Sequence, residues 1–312
     1  MSRTYVEFDS WKEFQPFFSE EFRIKPGEEP LEEYWEWTDY NVHLDRYIPA
    51  KSDKPFKIVL VHGGGGNGRL LSPMGVVLRD NGYECVAADM PGFGLTEIRK
   101  PNSYNTWIEL VNALCNREFA EDGKPIVLVG ISLGGMLSYH ASCINQHVKA
   151  LIVSSLADAT TLPVQQQLSK NKLLGKWSYK SLTLTPSLTD AIKIPIKLTT
   201  KMWAMANDQK FVSLLKKDKV GSGSWVYLKF FRTLMETKPA IEPEDFTKCP
   251  LLFVQPEKDY IIPWEISKPF YDRLACAKQV VFLDNCGHIP LEEPGVFSLR
   301  KEALDFLQKL EE

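Results

Sequence analysis

The chain has no C-x-x-C pair, no long apolar run and almost no net charge, and each absence removes a class of function. Its six cysteines, Cys85, Cys115, Cys143, Cys249, Cys276 and Cys286, are scattered, which argues against both a zinc site and a disulfide framework. No stretch approaches the roughly 18 apolar residues that a membrane span requires. The formal charge of −3 over 312 residues is too small to imply a nucleic-acid partner. No histidine spacing suits a metal, and the glycines at 63–66 lack the following Lys-Ser/Thr of a phosphate-binding loop. Internal repeats and low-complexity tracts are absent as well. Residues Met1 to Ser10 lack the basic stretch and apolar core of a secretory signal. The expectation is a soluble, cytoplasmic protein that needs neither metal nor cofactor.

What the chain does have is a set of apolar runs that each open into a small-residue or polar loop. Ile126-Val127-Leu128-Val129 leads into Gly130-Ile131-Ser132-Leu133-Gly134, a G-x-S-x-G pattern followed by a helix-like segment. A strand that turns sharply into a helix needs small residues on both sides of the bend, and Ser132 at its tip is held out toward a substrate carbonyl. Upstream, Ile58-Val59-Leu60-Val61 runs into His62-Gly63-Gly64-Gly65-Gly66-Asn67, a loop whose bare amides suit an oxyanion. Downstream, Val280-Val281-Phe282-Leu283 opens into Asp284-Asn285-Cys286-Gly287-His288. In a parallel sheet such strand ends lie along one edge, so residues far apart in sequence converge. Two acids are candidates to orient His288. Asp259 follows the strand Leu251-Leu252-Phe253-Val254 and is favoured; Asp158 follows Ala150-Leu151-Ile152-Val153 and is its rival.

With these segments in hand, the chain resembles the α/β-hydrolase superfamily over roughly residues 31 to 312. The resemblance rests on the His62 to Gly66 loop, Asp89-Met90-Pro91-Gly92-Phe93-Gly94-Leu95-Thr96, the Ser132 elbow, Asp259 and Gly287-His288, in the family's usual order. It implies an α/β fold with a mostly parallel twisted sheet covered by helices on both faces. It further implies a catalytic set of Ser132, Asp259 and His288, with the backbone amides of Gly64 and Leu133 as the oxyanion hole. Relatives that open epoxides or cleave carbon-halogen bonds carry an aspartate at the elbow; the serine here points to ester, thioester, lactone or amide hydrolysis. Hydrolysis of carboxylic esters of small or medium apolar substrates through an acyl-serine is the leading expectation. A lactonase, including one acting on acyl-homoserine lactones, is the enzymatic alternative. A non-catalytic ligand-binding protein on the same fold is the alternative of another class.

The spacing of strands also divides the chain. A hairpin is expected at Glu32 to Tyr47, and helices near 69–80, 105–119, 134–146, 264–275 and 295–310. Between the strand ending near 153 and the one ending near 254 the rhythm breaks. Residues 157–247 therefore read as a mainly helical cap inserted into a core of 31–156 and 248–312, with 1–30 as an N-terminal extension. Helical segments are expected at Ile196 to Ala206 and Trp225 to Thr237. Trp177, Met202, Trp203, Met205, Phe211, Trp225, Tyr227, Phe230 and Phe231 are candidates to line a pocket or to form the cap's own core. Residues 157–248 hold 15 Lys and Arg against 8 Asp and Glu, leaving 22 against 32 elsewhere. Complementarity between the two parts explains this bias most simply. Within the extension, Trp11, Phe14, Phe17, Phe18 and Phe22 make one aromatic face, expected to pack inward rather than on a lipid surface. His62 is expected to brace its loop, Asp89 to bond the Gly92 to Gly94 turn, and Cys286 to fill space. His43 and His147 have no evident partners in sequence.

Overall fold

A computed structural model of the chain describes residues 3–8, 10–98, 100–169 and 186–312. Its strands are β1 (Leu31–Trp37), β2 (Tyr40–Tyr47), β3 (Lys57–Val61), β4 (Cys85–Ala88), β5 (Glu97–Ile98), β6 (Ile126–Gly130), β7 (Val148–Val153), β8 (Lys193–Pro195), β9 (Trp225–Tyr227), β10 (Leu251–Pro256) and β11 (Lys278–Leu283). Eight of them form a sheet in the order β1-β2-β4-β3-β6-β7-β10-β11, with β5 added beside β2 and β8-β9 forming a separate pair. Pairing is parallel from β4 through β11 and antiparallel where β2 meets β1, β4 and β5. The α/β-hydrolase fold is therefore present.

Strands β3, β4 and β6 are buried at every residue, which is why they read as continuous apolar runs without alternation. One face of the sheet packs on helices Tyr104–Asp122, Leu133–Ile144 and Trp264–Arg273, and the other on Ser72–Asp80 and Gly295–Glu311. The first of these helices has a reciprocal cap between Ser103 and Thr106 and ends at Gly123, whose φ of +74° suits glycine.

Two expectations need correcting. Ile196 to Ala206 is not one helix but two 3-10 turns, Ile196–Leu198 and Met202–Ala204, separated by the β-branched pair Thr199-Thr200, which disfavours propagation. Trp225 to Tyr227 is strand rather than helix, because its β-forming residues pair with Lys193–Pro195, and the helix starts only at Leu228. The segment between β7 and β10 thus mixes short helices with a two-stranded ribbon. The aromatic face of the extension is buried: Trp11, Phe14, Phe18 and Phe22 lie inside, and Phe14, Phe17 and Phe18 surround Phe211 from that later segment.

His43, without an evident partner in sequence, sits in a buried polar cluster. Its Nε2 lies 2.9 Å from Glu32 Oε2 and its Nδ1 lies 3.1 Å from Asp89 Oδ2. Arg69 donates to both oxygens of Asp45 at 2.7 and 2.8 Å and stacks over Tyr5 and Trp11. Tyr5 hydroxyl donates to Asp89 at 2.9 Å. Burial alone would lower the His43 pKa, but the charge of Asp89, with Glu32 and Asp45, overrides it and raises it to about 10.

This yields a pH prediction. A histidine whose folded pKa is raised stabilises fully below its unfolded value, about 6.5, and that contribution drains away as pH rises through about 10. The melting temperature is expected to fall from pH 7 to pH 10. In His43→Gln it should start lower and fall less over the same range; parallel curves for the two proteins would refute the assignment.

Candidate active site

The bend after β6 is made by exclusion of side chains. A Cβ at Gly130 would overlap the Gly134 carbonyl oxygen, one at Gly134 the Val61 carbonyl, and one at Gly135 the Ser154 carbonyl. Helix Leu133–Ile144 can therefore start directly against β3 and β7. Ser132, between the glycines, takes φ +59° and ψ −129°, a conformation that costs a non-glycine residue on the order of 1–3 kcal/mol. Its amide donates to Ser154 Oγ at 3.0 Å, so a side chain from the end of β7 helps hold the strained turn.

Ser132 Oγ lies 2.6 Å from His288 Nε2, and His288 Nδ1 lies 2.8 Å from Asp259 Oδ2. The second oxygen of Asp259 accepts the amides of Ile261 and Ile262 at 2.9 and 2.8 Å, which fixes the carboxylate. With Nδ1-H directed at a carboxylate, Nε2 is left to accept the serine proton. Asp259 and His288 are almost fully buried. Asp158 does not reach this group: its Oδ1 accepts the amide and hydroxyl of Thr160 at 2.9 and 2.7 Å.

Gly64 and Leu133 line the same cavity as Ser132 and His288. Neither of their amides donates a hydrogen bond to another described residue, and Leu133 is the first residue of its helix, where amides are orphaned and the dipole is positive. His62 braces the glycine loop, donating from Nδ1 to Gly63 O at 2.8 Å and accepting the Met90 amide on Nε2 at 2.9 Å. Burial lowers its pKa, in keeping with the neutral form that these two bonds require. Asp89 does more than bond its turn, accepting the amides of Leu95 and of Gly68 at 2.7 Å each. Burial pushes the Cys286 thiol up to about 12, and the residue is a fully covered filler.

The cavity over Ser132 has a volume of ≈ 550 Å³, within the range of small-molecule sites. Met205, Phe230 and Phe231 line it, together with Ile194, Leu198 and Leu234, which carried no distinct signal in sequence. Phe211 and Met202 are buried elsewhere, Trp203 and Trp225 are exposed, and Trp177 lies outside the described residues. Among the described lining residues none is Asp, Glu, Lys or Arg.

A family model described as serine aminopeptidase, S33, matches residues 53–295. The chain is 27% identical over 224 residues to a Bacillus subtilis (strain 168) protein named phospholipase YtpA, covering 68% of this chain and 79% of that one. A soluble variant of monoglyceride lipase from Saccharomyces cerevisiae superposes with TM-score 0.70 at 17% identity, covering 90% of this chain and 96% of that one. For the monoacylglycerol lipase of Paleococcus ferrophilus the values are 0.66, 16%, 86% and 98%. At such identities these structures share the fold.

The elbow geometry predicts that Gly134→Ala is destabilised by several kcal/mol, because backbone on both sides blocks the added methyl. Chemical denaturation measures it. A variant within about 0.5 kcal/mol of wild type would mean that the turn relaxes freely.

Proposed function

The chain belongs to the serine aminopeptidase S33 family of α/β-hydrolases, a hydrolase of lipase/esterase type, and from that membership we propose that it cleaves uncharged carboxylic esters through an acyl-serine intermediate. Ser132 attacks the carbonyl while His288 Nε2 takes its proton, and Asp259 stabilises the imidazolium. The amides of Gly64 and Leu133 receive the oxyanion. Collapse of the tetrahedral species returns the proton to the departing alkoxide. A water activated by His288 then releases the acid and restores Ser132. Residues 157–247 act as a cap over this site, and the core is formed by 31–156 and 248–312.

The single observation that carries the proposal is the Ser132–His288–Asp259 hydrogen-bond chain opening into a cavity whose described lining holds no Asp, Glu, Lys or Arg. That lining also discriminates among substrates. An aminopeptidase must hold an α-ammonium, and a desolvated ammonium needs a carboxylate partner. The described lining has no carboxylate, so the family's peptidase description fits this cavity less well than a neutral ester does.

Turnover of p-nitrophenyl esters of graded acyl length, beside an aminoacyl p-nitroanilide, tests this. Activity toward esters is expected to rise by up to about fourfold per added methylene, at about 0.8 kcal/mol each, until the cavity is filled, with no cleavage of the anilide. Ser132→Ala should remain folded and lose several powers of ten in turnover and all labelling by a fluorophosphonate. A folded variant retaining more than roughly a hundredth of wild-type activity would sink the serine mechanism.

The choice of acid is tested separately. Asp259→Asn is expected to lower turnover of a soluble ester by about four powers of ten, whereas Asp158→Asn leaves it within a few-fold of wild type. The reverse ranking would transfer the role to Asp158.

A further inference from the structure

The loop that presents the Gly64 amide has no side chains at four consecutive positions, and Gly65 has φ +82°. Such a segment has little stiffness of its own, so the direction of the Gly64 N-H depends on what the neighbouring peptide groups are bonded to. The Gly63-Gly64 peptide carries that N-H at one end and the Gly63 carbonyl at the other. This carbonyl accepts from His62 Nδ1 at 2.8 Å and from the Gly66 amide at 3.1 Å. The Gly66 amide belongs in turn to the Gly65-Gly66 peptide, whose carbonyl accepts from Ser222 Oγ at 2.9 Å. Ser222 is almost fully buried. It comes from the segment between β7 and β10, in Gly221-Ser222-Gly223, which reads in sequence only as a break between helices.

The turn around Ser222 is itself docked firmly. Gly94 amide donates to Val220 O, Asp218 accepts from the Val220 amide and from Ser10 Oγ at 3.3 Å each, and a Cβ on Gly221 would press on the Gly65 carbonyl at 3.1 Å. From these bonds we infer that Ser222 is a positioning residue for ester cleavage: acting through two peptide groups in series, it aims the Gly64 amide at the oxyanion. The inference rests on the ester-hydrolase reading above. It also revises the simplest division of labour between the parts of the chain, in which residues 157–247 choose the substrate and leave bond breaking to the core. Ser222 belongs to that inserted stretch yet bonds the loop that carries Gly64, so residues outside the core take part in assembling the anion site.

The test compares wild type with Ser222→Ala on acetyl and longer esters and measures inhibition by an alkyl trifluoromethyl ketone, whose free carbonyl, in equilibrium with its hydrate, adds the serine oxygen to give a tetrahedral oxyanion. A donor aimed at charge that develops in the transition state changes kcat and the affinity of the analogue, but not ground-state binding. Ser222→Ala is expected to lower kcat about tenfold or more, by the same factor for short and long esters, with KM within about twofold. The inhibition constant for the ketone should rise in parallel. A folded variant with kcat and ketone affinity both within twofold of wild type overturns the inference, as does a rise confined to KM. Should Ser222→Ala fail to fold, Ser222→Thr and Ser222→Val supply similar shapes that differ in the hydroxyl; higher kcat in the threonine variant supports the role, and equal kcat overturns it. Absence of ester turnover in the wild type would instead count against the hydrolase reading, so the two failures are distinct.

Discussion

The carboxylate of Asp89 ties three parts of the chain to one point. Fully buried, it accepts amides from Gly68, after the glycine loop, and from Leu95, after the Gly92 to Gly94 turn, and it also receives Tyr5 from the N-terminal segment. A buried anion is tolerated only when its lone pairs are filled and an opposite charge lies close. His43 supplies that charge: burial would raise the Asp89 pKa, yet the neighbouring imidazolium and the backbone donors hold it below its usual value. His43 in turn needs Glu32, and Arg69 needs Asp45. The position of the glycine loop is thus set by a network of charges at one end of the sheet as well as by the strand that precedes it.

The parts legible in sequence are those whose cause is local. Buried parallel strands must be apolar throughout, so β3, β6 and β10 stood out, as did the apolar second half of the partly exposed edge strand β11, and the loops after these strands carried His62, Ser132, Asp259 and His288 to one edge. His288 meets Asp259 rather than Asp158 because β10, whose following loop carries Asp259, lies beside β11. What stayed hidden depends on contacts across long stretches of chain. His43 looked unpartnered because its acids come from β1 and from the end of β4. Ser222 looked like a spacer because its acceptor is a backbone carbonyl, which leaves no mark on composition. The pocket wall was only half legible: Phe230 and Phe231 face the cavity while Trp203 and Trp225 face solvent, a distinction that hydrophobicity cannot make in a segment of short turns.

The same segment also reaches the other side of the site. Ile289 amide donates to Met205 O at 2.9 Å, and the Asn207 side chain donates to Asn285 O at 2.6 Å, so the loop carrying His288 leans on residues 205–207. The residues that shape the apolar cavity are therefore neighbours in sequence of those that steady the loops around it.

One packing feature bears on how the chain is made. The aromatic residues Phe14, Phe17 and Phe18 close around Phe211, which is synthesised roughly 200 residues later. At bacterial or eukaryotic elongation rates that gap lasts about 10–40 s. Throughout this interval Phe14, Phe17 and Phe18 lack the ring they finally surround. The strap that fastens the N-terminal segment to the later one can therefore form only after about two thirds of these residues have been made.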